Sequence, residues 1–223
     1  MKKKTLYRNI AITAFLAGLA LLAMLLVSIT HGGITAQAFE VVDSPESYAA
    51  RILAVETPLR IILTFDNLFV VFYSAAFLFL ALHLYTKRNR YIVYAATVAI
   101  MITAYLDFLE NHHVLTLIAS AWRELPISTE ELKERMIWSQ LKFHSSYLSL
   151  FLFGWILPGK TLLEKALKLS LLILFVPVGV LVYTYPESGS SIFQLLRYLL
   201  MWLGLWLLSW NYFYRLRAYK LFK

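Results

Sequence analysis

Asp107, Glu110, Asn111, His112 and His113 lie together in "YLDFLENHHVL", residues 105–115. Two carboxylates, an amide and two imidazoles can do acid–base work, relay protons or hold a metal. The flanking segments, "YIVYAATVAIMITA" and "VLTLIAS", are apolar. At helical spacing Asp107, Glu110 and Asn111 are i, i+3, i+4 and share one face. Other polar residues interrupt apolar runs at matching depth: Asp66 and Asn67 in "FDNLFVVFY", Lys142 and His144 in "QLKFHSSYLSL", and Arg197 in "QLLRYLL". An ionised group at the centre of a membrane helix costs roughly 2.5–3.5 kcal/mol, so these groups are expected to turn inward and pair. Lys142, Ser145, Ser146 and Ser149 share a face, and Asp66, Phe69 and Tyr73 form a stripe. Lys142 is therefore expected near Asp107 or Glu110. His144 falls across its helix from Lys142, on the side of Gln140. Three acids against Lys142 and Arg197 leave the layer uncancelled and titratable.

The elements that must position these residues follow from composition. The chain of 223 residues is 60% hydrophobic and 15% charged, with a mean hydropathy of +0.66. Apolar runs recur that are long enough to cross a hydrocarbon core of about 30 Å. They predict an all-α, polytopic bundle of six transmembrane helices near 9–30, 59–84, 91–119, 137–157, 168–185 and 192–213, forming one transmembrane domain over 1–223. Continuous apolar runs fit helices and not barrel strands. The breaks carry turn formers: "HGG" at 31–33, Pro126, "PGK" at 158–160 and "PESGSS" at 186–191. Cysteine is absent, which excludes disulfides, thiolate metal sites and cysteine nucleophiles.

Placing the N-terminus inside puts 14 of the 21 basic residues on the cytoplasmic side: Lys2, Lys3, Lys4 and Arg8; Lys87, Arg88 and Arg90; Lys160, Lys165 and Lys168; Arg215, Arg217, Lys220 and Lys223. Only Glu164 among the acids joins them. The net charge of +8 is then the positive-inside pattern, not a nucleic-acid signal. Both termini are expected to be cytoplasmic, with Trp206, Trp210, Tyr212 and Tyr214 anchoring the inner end of the last span. The first run is read as an uncleaved helix, since it exceeds a signal-peptide core and "AQA" at 36–38 lies well beyond it. In "AWRELPISTEELKER", Ser128 and Glu131 form a capping box from which the fourth helix starts outside and runs inward. The polar groups then lie roughly 9–15 Å below the outer surface.

Three readings of this layer stay open. Buried pairs can simply fix helix packing. A metal-dependent hydrolase acting on a membrane lipid would use zinc or another divalent ion held by His112, His113 or His144 with the nearby carboxylates. The spacing lacks H-x-x-x-H or H-E-x-x-H, and adjacent histidines point about 100° apart. Outside these three readings stand sensors, assembly factors and cofactor binders, the last including a haem between histidines such as His112 and His144. A proton- or ion-coupled transporter would use Asp107, Glu110 and the histidines as relays, within a 3+3 arrangement of spans. Its helices are broken centrally only at Pro177 and Gly179 in "FVPVG". In each functional reading Asp66, Asp107, Glu110, Asn111 and Lys142 do the chemistry, with Tyr73, Arg197, Ser145 and Ser146 around the substrate. The partner implied is membrane lipid. The location implied is a bacterial inner membrane.

"AYLDFLENHHVL" resembles the A-x-x-D-x-x-E-N-x-x-x-L pattern of a group of bacterial multi-pass membrane proteins. In that group an Asp-bearing helix with a following Tyr precedes it, as in "FDNLFVVFYSAAF", and a Lys-bearing helix follows, as in "QLKFHSSYLSL". The resemblance covers spans two to four and implies shared positions at Asp66, Tyr73, Asp107, Glu110, Asn111 and Lys142. It brings no activity, and the two histidines fall outside the pattern. The general recipe of Ser, Asp and His in a bundle is similar to alkaline-ceramidase-type membrane hydrolases. Their helix count and paired-histidine motif are missing here.

Overall fold

The computed structural model describes residues 3–40, 43–184 and 190–221, and every regular element among them is helical. Long runs of Leu, Ala, Ile and Phe with no Pro beyond the first turn and no paired Gly make α1 (Lys3–Thr30), α3 (Glu56–Leu84), α4 (Arg90–Trp122) and α5 (Thr129–Ile156) continuous. Gly32 and Gly33, at φ 78° and 84°, carry the chain out of α1 through a conformation that L side chains rarely adopt. Ser128 caps α5 by accepting the Glu131 amide at 3.1 Å. The return half of the expected capping box is not made: Glu131 Oε1 instead meets His113 Nε2 at 3.0 Å.

Five of the expected spans match single helices, the last being α8 (Ser190–Leu221). The fifth is composite. α6 (Leu162–Leu169), a π-helical stretch Ser170–Phe175 and α7 (Val176–Thr184) follow one another without a break. Pro177 lacks the N–H that an α-helix would donate back to residue 173, and the wider turn lies just before it. Five of these units are long and apolar enough to cross a membrane: 3–30, 56–84, 90–122, 162–184 and 192–218. α5 is not among them. It has ample length at 28 residues, but Lys142, His144 and four serines dilute its apolar surface. Most of "PESGSS", with Lys2 and Lys223, lies outside the described residues.

The helices close into a ring. α1 packs on α3 and α8, α3 on α4, α4 on α5, and α5 on the composite unit, which returns to α8. Small residues set the close approaches. Ala11, Ala14 and Ala17 of α1 are fully buried. The Ser209 hydroxyl of α8 donates to the Ala11 carbonyl at 2.9 Å, and Ser149 of α5 to Ala96 of α4 at 2.8 Å.

One end of the ring is covered, which the sequence does not foretell. The segment between the first two spans forms a 3-10 turn, Ala36–Phe39, and a short helix α2, Pro45–Ala54. Tyr48 and Ile52 of α2 are fully buried. Arg135 of α5, also fully buried, donates from Nη1 to the Phe39 carbonyl and the Tyr48 hydroxyl. Burial pushes Tyr48 up to about 12, with Arg135 opposing.

Candidate functional site: a carboxylate and lysine layer beside a central cavity

Lys142 stands at the centre of the polar layer. Its Nζ lies 3.1 Å from Asp107 Oδ1 and 2.6 Å from Glu110 Oε2. All three are nearly sealed, at 6%, 7% and 2% exposure. The i, i+3 spacing on α4 aims both carboxylates at one lysine of α5. The other oxygen of Asp107 accepts the Tyr73 hydroxyl of α3 at 2.9 Å. Asn111 donates to Asn67 at 3.3 Å and lies within reach of the Asp66 carboxyl. Thr103 and Ser145 bond at 2.8 Å across the α4–α5 seam.

A fourth carboxylate joins from the covering segment. Glu40, just past the 3-10 turn, accepts the Ser139 hydroxyl at 2.6 Å and meets the Glu110 carboxyl. Burial pushes Glu40 up, but Lys142, Glu110, Ser139 and Arg197 together hold it below the usual carboxylate range. The layer therefore gathers Glu40, Asp66, Asp107 and Glu110 against Lys142 and Arg197. The acid excess is larger than the sequence suggests. Two carboxyls in contact cannot both stay ionised without cost.

A cavity of about 470 Å³ fills the ring and receives wall residues from every spanning unit. Asp66, Tyr73, Asp107, Lys142, Ser146 and Arg197 are in its wall, and the rest is largely aliphatic and aromatic. Glu110 and Asn111 lie in the layer beside it. Ser145 sits in the α4–α5 seam.

Arg197 differs from Lys142. It is 4% exposed, and its guanidinium lies 3.7 Å from the centre of the Phe143 ring. Nη1 faces the Tyr147 and Tyr183 hydroxyls at 3.5 Å each. Tyr147 occupies this position because residue 179 is glycine: a Cβ there would fall 2.2 Å from the Tyr147 ring.

No family model, curated protein or solved structure matches this chain. The chemistry rests on geometry alone.

The three histidines are not brought together. His112 is exposed on α4. His113 contacts Glu131 and the Trp138 ring. His144 is exposed on α5, with Nδ1 2.7 Å from the Gln140 carbonyl. Among the described residues no group of three or more His, Asp or Glu is arranged to hold a metal. The carboxylates converge on the ammonium of Lys142, which takes the place a cation would need. The donor set does not fit zinc. The expected haem pair of His112 and His144 likewise has no support in the arrangement.

Several site residues escaped the sequence reading. Thr103 is i−4 from Asp107 and Ser139 is i−3 from Lys142, so helical spacing marks both. Tyr147 and Tyr183 read as ordinary aromatic packing. Glu40 carries no periodic signal, because it lies between helices.

Proposed function

We propose that this chain is a six-span inner-membrane protein, with both termini cytoplasmic, that binds a lipid-like amphiphile in its central cavity and performs acid–base chemistry at the head group. The observation that carries this reading is the cavity itself: a long, mainly apolar chamber whose charged groups, Asp66, Asp107, Lys142 and Arg197, are confined to one layer. Along α3 its wall runs from Ile62 to Leu80, roughly 27 Å at 1.5 Å per residue. α5 supplies the sixth span, its polar face turned to the layer and away from lipid. Asp107 joins Tyr73 to Lys142, and Glu110 stands between Lys142 and Glu40, so the titratable groups of the layer are contiguous. The acid excess favours a group that changes protonation over packing alone, since packing is served by matched charges.

The test has two arms. Lipid extracted from the purified protein is identified by mass spectrometry, and Asp107→Asn and Glu110→Gln are tested for complementation of a deletion. The reading expects a stoichiometric amphiphile and two folded variants that fail to complement. Protein free of amphiphile, with folded variants that complement fully, overturns it. The charge excess also suits a proton-coupled transporter. That second reading is favoured if the variants abolish proton movement into vesicles while no amphiphile is bound.

A further inference from the structure

We propose that Arg197 is a head-group clamp, and that the amphiphile is therefore an anionic, single-chain molecule with a carboxylate or phosphate head. This rests on the cavity being a lipid site, and it names the ligand class.

Lys142 is already matched by Asp107 and Glu110 at 3.1 and 2.6 Å. Arg197 is not. Among the described residues no carboxylate lies within ion-pair distance of it, and its protein contacts are two neutral hydroxyls and a ring face. A guanidinium carries five N–H donors in a flat fork. Here only Nη1 reaches acceptors among the described residues. The remaining edge is not sealed, and the residue is in the cavity wall. Glu40 acts on it only from beyond contact distance, and a buried cation with no anion in contact is costly to keep. An oxyacid head would complete it, accepting two parallel bonds from the fork while Tyr147 and Tyr183 stand beside it as further donors.

The apolar part of the cavity fits one chain. From Arg197 onward the α8 part of its wall runs to Leu208, roughly 16 Å. That is close to half of a hydrocarbon core of about 30 Å, the depth an acyl chain takes in one leaflet. A volume of about 470 Å³ is that of a site for one ligand of modest size, which argues for a single chain over a two-chain phospholipid.

The experiment uses the full chain in nanodiscs and a fluorescent fatty acid displaced by three competitors with the same chain: a fatty acid, the matching alcohol and the matching alkyl phosphate. The acid is expected to compete about 10–100-fold better than the alcohol, the range of a charge-assisted hydrogen bond. Arg197→Gln should bring acid and alcohol together by weakening the acid alone. Arg197→Lys, which keeps the charge and loses the fork, should keep part of the preference and covers the case in which the Gln variant does not fold. An alkyl phosphate stronger than the acid keeps the clamp and assigns a phosphate head. Equal binding of acid and alcohol to the unaltered protein overturns the clamp while the lipid site stands. No displaceable binding of any of the three overturns the lipid site as well.

Discussion

Replacing Lys142 by Met tests whether the layer is an interacting unit. The side chain is 7% exposed and has two carboxylate contacts, at 3.1 and 2.6 Å. At an effective dielectric constant of 20 each contact is worth roughly 5–6 kcal/mol before desolvation is counted. Desolvation of three charges takes back most of that. What remains measurable is the loss on removing one partner, about 3–5 kcal/mol, because Asp107 and Glu110 are then stranded. Met fills a similar volume, so the loss is electrostatic and not a cavity effect. Unfolding of the detergent-solubilised protein by SDS, followed by helicity, gives the difference directly. Combining Lys142→Met with Glu110→Gln should return about 1–3 kcal/mol, and Lys142→Met with Asp107→Asn somewhat less, since the 2.6 Å contact is the closer. A loss below about 1 kcal/mol for Lys142→Met, or doubles that add to within about 0.5 kcal/mol, would refute the pairing argument.

Two further outcomes are expected. With both termini cytoplasmic, reporters active only outside the membrane give signal when fused at 45 or 128 and none at 88 or 160; a signal at 160 with none at 128 inverts the map. Because Glu40 titrates below its ordinary value of 4.5 in the folded chain, its contribution is complete above that pH and is lost as pH falls below it, with Lys142, Arg197, Glu110 and Ser139 the groups that face it. Thermal melts of the unaltered protein and Glu40→Gln should therefore differ at pH 7 and draw together on acidification below the ordinary carboxylate range. A gap that persists or widens contradicts this assignment.

The polar layer was legible because a charge inside an apolar helix is expensive and so stands out. Helical spacing then put Asp107 and Glu110 on one face, and the Lys142 contacts follow from it. Glu40 was not legible for the converse reason. It sits between helices, where charged residues are cheap and common, and only the fold of the 3-10 turn carries it inward. Arg135 was hidden in the same way, placed by sequence in an outer segment and found fully buried beneath α2. The histidines misled through residue type. His112 follows Asn111 by one residue, a turn of about 100°, and that step takes it from the buried face to the exposed one. Glu131 likewise suited a capping box by spacing, but a nearby imidazole competed for its carboxylate.

The π-helical stretch between Ser170 and Phe175 makes part of this architecture a matter of counting. A π turn holds about one residue more than an α turn. Removing any single residue from Ser170–Phe175 would let the stretch relax to an ordinary helix. α6 would then be rotated against α7 by about 100°. Leu167, now facing the cavity, would be carried off its wall, while Gly179 kept its place opposite Tyr147. Exchanging one aliphatic residue for another in the same stretch would cause no such rotation. Here the chain is expected to be tolerant of spelling and intolerant of length, so a one-residue deletion should be far more damaging than any of its apolar substitutions.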